Sequence, residues 1–389
     1  MTLPDPDQPT PLLGDLSPQA FMQQHWQRQP RLIRQALPGW RCPISPTDLR
    51  RLARLADVES RLVWRDANGW QMRSGPHARL PKASQPDWTL LVQGVDVWDD
   101  RIAALRDQFR FVPDARLDDA MISLASRGGG VGPHFDSYDV FLLQARGTRR
   151  WRISQQSDLR LLPDLPLKVL ANFQPEHEYL LEPGDMLYLP PHVAHDGIAE
   201  SDDCMTISIG FRSPSVGELA RLVLDLAAER SQDDEARGRR AGRYRDPGQA
   251  AVTHPAELPA ALCAAGLRAA RQLPLSPELA TDALGRWLSE PKAGVVFGAD
   301  PDDDDDRPDL VDQWPGRITL RLDRATRFLY RGKRGYINGE ILGQRMTNEL
   351  YQLADARHAT LGPRPPARAL RELLQDWLDS GWLHVQAPD

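Results

Sequence analysis

Between residues 121 and 209 the apolar positions fall in short runs: Met121-Ile122-Ser123-Leu124, Val140-Phe141-Leu142-Leu143, Trp151-Arg152-Ile153, Met186-Leu187-Tyr188-Leu189 and Met205-Thr206-Ile207-Ser208-Ile209. Turn residues separate them and no strong helical segment lies between, a pattern that predicts an antiparallel barrel or jelly roll rather than a parallel α/β sheet. Ahead of these runs, Ser17-Pro18 caps a helical stretch with Phe21 and Trp26, followed by Pro30-Arg31-Leu32-Ile33. At Ser215 the period changes from strand to helix. Ser215-Val216-Gly217-Glu218 reads as a capping box, with Leu219, Leu222, Val223 and Leu226 at helical spacing behind it. A polar stretch from Ser231 to Arg245 follows. Further helices are predicted over Leu258 to Leu273 and from Ser276-Pro277-Glu278 through Trp287. The apolar stripes of this middle region read as packing within or between subunits. Beyond it come a predicted strand (Ile318 to Leu322), a hairpin (Phe328 to Ile337), helices carrying Leu350, Leu353, Leu370, Leu373, Leu374 and Trp377, and a closing strand at Gly381 to Val385. Short helices around a terminal hairpin suggest a winged-helix-like α+β module. The expected organisation is therefore a mainly β domain over 1–213, a helical region over 214–290 and a winged-helix-like domain over 291–389.

Charge narrows the choice of partner. Lys+Arg 48 against Asp+Glu 54 gives a net charge of -6, which excludes a surface that coats nucleic acid. The segment from Pro291 to Asp389 holds 14 basic and 16 acidic residues, although Arg317 to Arg334 carries seven basic against one acidic. A winged module of that balance is expected to contact protein rather than DNA. The five aspartates from Asp302 to Asp306 read as a solvated acidic loop rather than a chelating site. Cys42, Cys204 and Cys263 are far apart and odd in number, so neither a disulfide framework nor a C-x-x-C knuckle is available and a reducing, cytoplasmic setting is expected. The N-terminus lacks a basic start and an apolar h-region, and no apolar run approaches a membrane span. The reading is of a soluble protein without a membrane partner.

The chemistry concentrates in two stretches. In Gly128-Gly129-Gly130-Val131-Gly132-Pro133-His134-Phe135-Asp136-Ser137-Tyr138-Asp139, His134 and Asp136 are two apart, so an extended strand presents both on one face. The second stretch runs Glu182-Pro183-Gly184-Asp185-Met186-Leu187-Tyr188-Leu189-Pro190-Pro191-His192-Val193-Ala194-His195, where a turn feeds an apolar strand that the proline pair ends. Strands this far apart meet across the mouth of a jelly roll. His134, Asp136 and His195 then form a two-histidine, one-carboxylate facial triad, whose open positions suit non-haem Fe(II) and O2. His192 competes as the third ligand, but it directly follows the prolines. Iron of this kind needs an electron-supplying co-substrate. A 2-oxoacid would chelate it and require a cation inside the barrel for its distal carboxylate. In Arg149-Arg150-Trp151-Arg152-Ile153, period-two alternation sends Arg149, Trp151 and Ile153 to the apolar, inward face. Arg149 is the expected carboxylate-binding residue, with Arg150 and Arg152 solvated or facing a partner.

On these residues the first 210 or so positions resemble a JmjC/cupin-type 2-oxoglutarate oxygenase with a double-stranded β-helix jelly roll. The resemblance rests on Leu16-Ser17-Pro18, Phe21, Trp26 and Leu32-Ile33-Arg34, on the run from Gly132 to Phe141, and on Pro183-Gly184-Asp185 through His195. In that class a basic residue 15 positions after the first ligand histidine binds the 2-oxoglutarate carboxylate, and Arg149 stands there. Relatives commonly carry Gly and aromatic residues where this chain has His192-Val193-Ala194. The whole-chain layout resembles the ribosomal oxygenases, and within them the bacterial arginine 3-hydroxylases of large-subunit ribosomal protein sixteen. The resemblance implies a homodimer with a basic ribosomal protein as substrate, and carboxylates or aromatic faces for the guanidinium. Tyr138 and Asp139 are the candidates for that role. Histidyl hydroxylation or lysine demethylation on the same scaffold, and a non-catalytic cupin sensor with a winged-helix regulator, are the alternative readings.

Overall fold

The structure is a computed structural model that describes residues 5–67, 69–82, 84–237, 243–298, 310 and 316–386; the Asp302 to Asp306 run lies outside the described residues. In chain order the elements are α1 (Pro18–Gln24), β1 (Arg31–Ile33), α2 (Pro46–Leu52), β2 (Ser60–Asp66), β3 (Gly69–Ser74), β4 (Trp88–Val92), α3 (Asp100–Asp107), β5 (Leu117–Ala125), β6 (Val140–Arg146), β7 (Arg149–Ser154), β8 (His177–Leu181), β9 (Met186–Leu189), β10 (Ala194–Ala199) and β11 (Cys204–Phe211). They continue through α4 (Val216–Ala236), α5 (Ala260–Arg271), α6 (Pro277–Ser289), β12 (Ile318–Leu322), β13 (Phe328–Arg331), β14 (Arg334–Ile337), β15 (Glu340–Ile341), α7 (Asn348–Ala356), β16 (His358–Leu361), α8 (Arg368–Asp379) and β17 (Leu383–Gln386).

The chain packs as two compact units, one of Met1–Ser213, Pro291–Thr326 and Asn348–Asp389, the other of Pro214–Glu290 and Arg327–Thr347. In space the expected third segment, 291–389, is thus shared between them. The reason is local: the hairpin β13-β14-β15 packs on α6 within the second unit, and Asp282 of α6, 1% exposed, accepts from Tyr336 Oη at 2.8 Å and from Arg230 at 2.5 Å. Strands β16-β12-β17 form their own antiparallel sheet in the first unit.

The barrel matches the jelly-roll expectation. An eight-stranded antiparallel sheet in the order β1-β9-β6-β11-β5-β4-β2-β3 faces a three-stranded sheet β10-β7-β8. Sequence-distant strands become neighbours here, as in the pairing of β6 with β9 and of β7 with β10. Aromatic side chains fill the space under the large sheet: Phe21 from α1 meets Phe141 at 5.4 Å and Tyr188 at 5.0 Å, and Trp26 meets Phe211 edge-on at 5.0 Å. Each such pair adds about 0.5 to 1.5 kcal/mol beyond the burial of its area. Helix α1 is set for this contact by its cap, Ser17, whose hydroxyl accepts from Ala20 N at 3.2 Å. The Pro-Gly-Asp turn has an equally definite task. Buried Asp185 accepts from Gln35 N at 3.0 Å, Glu182 N at 3.1 Å and Arg34 at 2.6 Å, which ties the segment after the edge strand β1 to the turn that opens β9. In the second unit the Ser215 capping box forms as expected, with Glu218 N donating to Ser215 Oγ and Ser215 N to Glu218 Oε2. No described helix is long and apolar enough to cross a membrane.

Candidate metal centre

His134 and His195 are directly paired residues of an antiparallel bridge. The two backbones exchange both hydrogen bonds, His134 N to His195 O at 2.9 Å and His195 N to His134 O at 2.7 Å. Directly opposed residues send their side chains to the same face of a sheet, so one bridge aims both imidazoles at one point, with ring centroids 4.2 Å apart. Asp136, two residues along, brings Oδ2 to 3.8 Å from His195 Nε2. The three ligand-type atoms all lie within 4.8 Å of one another.

Each imidazole is held by its own loop. His134 Nδ1 donates to Gly132 O at 2.8 Å and His195 Nδ1 to Val193 O at 2.9 Å, which leaves both Nε2 lone pairs facing the shared point. Gly132 presents that carbonyl from φ +81°, a conformation glycine adopts without penalty, and a Cβ there would lie 2.9 Å from the Trp70 ring. Burial holds the pKa of His195 down at about 4, helped by the neighbouring His134 and opposed by Asp136, so its imidazole is neutral at pH 7, the form that binds metal. The donor set of two neutral nitrogens and one carboxylate oxygen, with fixed tautomers and an open side, fits a divalent first-row ion such as Fe(II). His192 does not join it. Its backbone sits at φ +67°, its N–H donates to Asp136 O at 2.7 Å, and its side chain is exposed.

A cavity of about 350 Å³ opens over the triad within the first unit. Arg149 lines it and is 4% exposed. Its Nε and Nη2 have no hydrogen-bond partner among the described residues. A buried guanidinium left this way is costly, so the barrel holds a site already built for an anion. The alternation read from the sequence holds along β7: Arg149, Trp151 and Ile153 are buried, whereas Arg150 ion-pairs with Glu200 and Glu178 and Arg152 with Asp196. Trp151 walls the cavity 5.8 Å from the His195 ring, and it lies there because Gly197 on the paired strand has no Cβ, which would come within 2.6 Å of the indole.

The two residues expected to meet a guanidinium part company. Tyr138 lines the cavity. Asp139 does not: it is 0% exposed, accepts from Tyr188 Oη at 2.7 Å and Gln27 Nε2 at 3.0 Å, and lies 3.6 Å from Arg116. The chain bends at Ser137 and Tyr138, just before β6, and the Asp139 side chain turns to the aromatic core, where Tyr188 holds it. The carboxylates at the cavity rim are instead Asp57, Glu59, Asp118 and Asp119, with Lys292 among them. Sequence reading missed these. Asp118 and Asp119 open an ordinary strand, and only the position of β5 beside β4 and β11 carries them to the mouth.

A β barrel with paired histidines and a carboxylate at its mouth, enclosing an unpaired arginine, defines a JmjC-type domain. Residues 104–219 match the family described as JmjC domain, and residues 267–384 match the ROXA-like winged helix. Over 94% of this chain and 97% of the other, the X-ray structure of E. coli ycfD superposes with a TM-score of 0.76 at 31% identity. The E. coli ribosomal oxygenase YcfD in complex with cobalt and 2-oxoglutarate superposes with a TM-score of 0.74 at 30% identity and the same coverage. The chain belongs to the JmjC-containing ribosomal oxygenases. In sequence it is 38% identical over 239 residues to the ribosomal protein uL16 3-hydroxylase of Escherichia coli (strain K12), covering 61% of this chain and 62% of that protein. It is 35% identical over 209 residues to a probable ribosomal oxygenase of Haemophilus influenzae, covering 52% of each. The matched stretches thus span less than two thirds of these two relatives.

Proposed function

We propose that this chain is an Fe(II)- and 2-oxoglutarate-dependent oxygenase that hydroxylates an arginine side chain of large-subunit ribosomal protein uL16. The reading is carried by the bridge of His134 and His195, with Asp136 alongside, opening on a cavity that holds the unpaired Arg149. His134, Asp136 and His195 would hold the iron and Arg149 the distal carboxylate of 2-oxoglutarate. A solved relative in complex with cobalt, an ion that stands in for iron, and 2-oxoglutarate supports the choice of these two groups. Bound there, the iron supplies O2 activation that couples decarboxylation of 2-oxoglutarate, giving succinate and CO2, to hydroxylation of a C–H bond.

The chain's own residues do the rest. The Nδ1–H donors fix each imidazole so that the open side of the triad faces the cavity. Trp151, Val140 and Leu142 wall it with apolar surface that excludes water. Tyr138 offers an aromatic face to a cationic side chain, and the four rim carboxylates set a negative mouth that attracts one. A cationic arginine fits this rim better than a neutral histidine does. The overall charge of -6 steers a basic ribosomal protein towards the enzyme.

Three organisational readings accompany this one. The sequence division 1–213, 214–290 and 291–389 is the proposed set of modules. The protein is proposed to act in the cytoplasm, where ribosomal proteins assemble. Helix α5 has no buried residue and leaves Leu262 and Leu267 exposed, which supports a homodimer formed through the helical region. Sedimentation equilibrium tests the last point, and a monomer at micromolar concentration removes it.

The functional test is intact-mass and fragment analysis of ribosomal proteins from a deletion strain. Loss of a one-oxygen increment from an arginine of uL16, restored by the wild-type gene and not by His134→Ala, is the expected result. An increment lost from a histidine instead moves the substrate to histidyl hydroxylation. Unchanged ribosomal proteins remove the hydroxylase reading.

A further inference from the structure

We propose that Lys292 is a tethered cation that occupies the acidic rim of the cavity at rest and is displaced by the cationic side chain of the substrate. The inference rests on the functional reading above. Lys292 lies more than 170 residues after the carboxylates it meets, yet its Nζ sits 2.9 Å from Asp118 Oδ1 and 3.2 Å from Asp119 Oδ2. Those two carboxylates, Lys292 and the unpartnered, buried Arg149 all line one cavity, the one that opens over the triad.

The backbone is fitted to bring the lysine there. Ala293 also lines the cavity, and at Gly294, φ +85°, a Cβ would approach Asp57 O to 2.8 Å. Only glycine lets the strand of chain pass this close to the rim, so the position of Lys292 is set by main-chain packing and not by the wandering of a surface side chain.

The charges around the pair favour exchange. Asp118 also meets Arg212 at 3.3 Å, whereas Asp119 has Lys292 and the N–H of Gly94 at 3.0 Å. Burial pushes Asp119 up to about 6 even with the ammonium beside it, since Asp118 and Asp96 act in the same direction as burial. Taking the lysine away without replacement leaves the buried carboxylate of Asp119 beside the half-buried one of Asp118, so some cation belongs there in both the empty and the loaded state. A guanidinium meets carboxylates through a rigid planar fork of parallel N–H donors, whereas the Lys292 ammonium, a point charge on a flexible four-carbon stem, makes a single contact to each of Asp118 and Asp119. The arginine of a substrate therefore replaces Lys292, while a neutral side chain has nothing with which to displace it. Lys292 would thus act as a selector for a guanidinium side chain.

The test uses the full chain loaded with Mn(II) and 2-oxoglutarate, with binding of N-acetylarginine amide and its citrulline counterpart read by calorimetry. Lys292→Met keeps the aliphatic stem and removes the competitor. It is expected to bind the arginine amide about fivefold more tightly than wild type, the factor a partly exposed ion pair is worth. Citrulline binding should be unchanged. Lys292→Arg, a stronger competitor with the same charge, should bind the arginine amide no better than wild type, and it provides the check should the methionine variant fold poorly. Equal or weaker arginine binding in Lys292→Met, or tighter binding in Lys292→Arg, overturns the proposal. The hydroxylase reading fails separately, by the absence of any oxygen increment in ribosomal proteins while this binding difference persists.

Discussion

Single residues decide the chemistry here, and two of them make opposite claims that can be measured. Arg149 is buried with Nε and Nη2 unpaired, so a carboxylate arriving in the cavity completes a hydrogen-bonding set the fold leaves open. Arg149→Gln is expected to raise the KM for 2-oxoglutarate by on the order of 100-fold, the cost of truncating one partner of a buried charge pair, with the metal affinity unchanged. A KM within a factor of three of wild type would remove the assignment. Asp139 is the reverse case: its carboxylate belongs to Tyr188, Gln27 and Arg116. Asp139→Asn should lower the unfolding free energy by about 1 to 3 kcal/mol through disrupted buried hydrogen bonds, with the KM for the peptide substrate unaltered in the protein that stays folded. A large peptide KM effect without a stability loss would return Asp139 to the substrate site. The sequence placed both residues near the iron. It could not say which way Asp139 faces, because the strand begins only at Val140 and alternation has no anchor before it.

At the scale of elements, β7 was the most legible piece of the barrel. Its alternation holds from Arg149 to Ile153, and its outward arginines find carboxylates on neighbouring strands. The hairpin β2-β3 and strand β4 were not anticipated, since residues such as Arg61, Arg65, Gln71 and Arg73 dilute the apolar period in a hairpin at the edge of the sheet. The turn between β9 and β10 is where the ligand choice is made. Pro190-Pro191 ends β9, His192 takes a left-handed conformation, and the chain re-enters extended geometry in time for His195 to pair with His134. His192→Gly is therefore expected to bind metal as wild type does and to keep its turnover, with stability equal or higher by up to about 1 kcal/mol from relief of the positive φ. Loss of metal binding in this variant would make His192 a ligand after all.

The molecule as a whole carries buried, neutral histidines outside any ion pair with a carboxylate. His77 is 1% exposed, and neither ring nitrogen has a partner among the described residues. Burial, and secondarily Arg73, lowers its pKa from 6.5; burial and then Arg31 do the same for His25. A histidine whose folded pKa is depressed takes up its proton more readily when unfolded, so its stabilising share is present above pH 6.5 and is lost as the pH falls below it. The urea midpoint of the metal-free protein should fall between pH 7.5 and 5.5. Asp119, pushed up to about 6, works against this trend and lessens it. His77→Leu, which removes two unsatisfied nitrogens, should flatten the slope at little cost in stability. A steeper slope in that variant would mean that His77 is protonated in the fold.

The sequence alone determined the periodicities, and with them a jelly roll followed by helices and a winged-helix-like end, and the inward arginine of β7; the H-x-D pair was also legible, although His134 sits in an isolated bridge and not in the extended strand expected for the pair. These are local properties, carried by spacing along one strand or one helix turn. Only the tertiary structure decided which histidine joins His134 and Asp136, that Asp139 serves the core, and that Asp118, Asp119 and Lys292 line one cavity with His134, Asp136 and His195. Each of those depends on which distant segments become neighbours, and strand order across a barrel is set by the packing of the whole sheet rather than by any window of the chain.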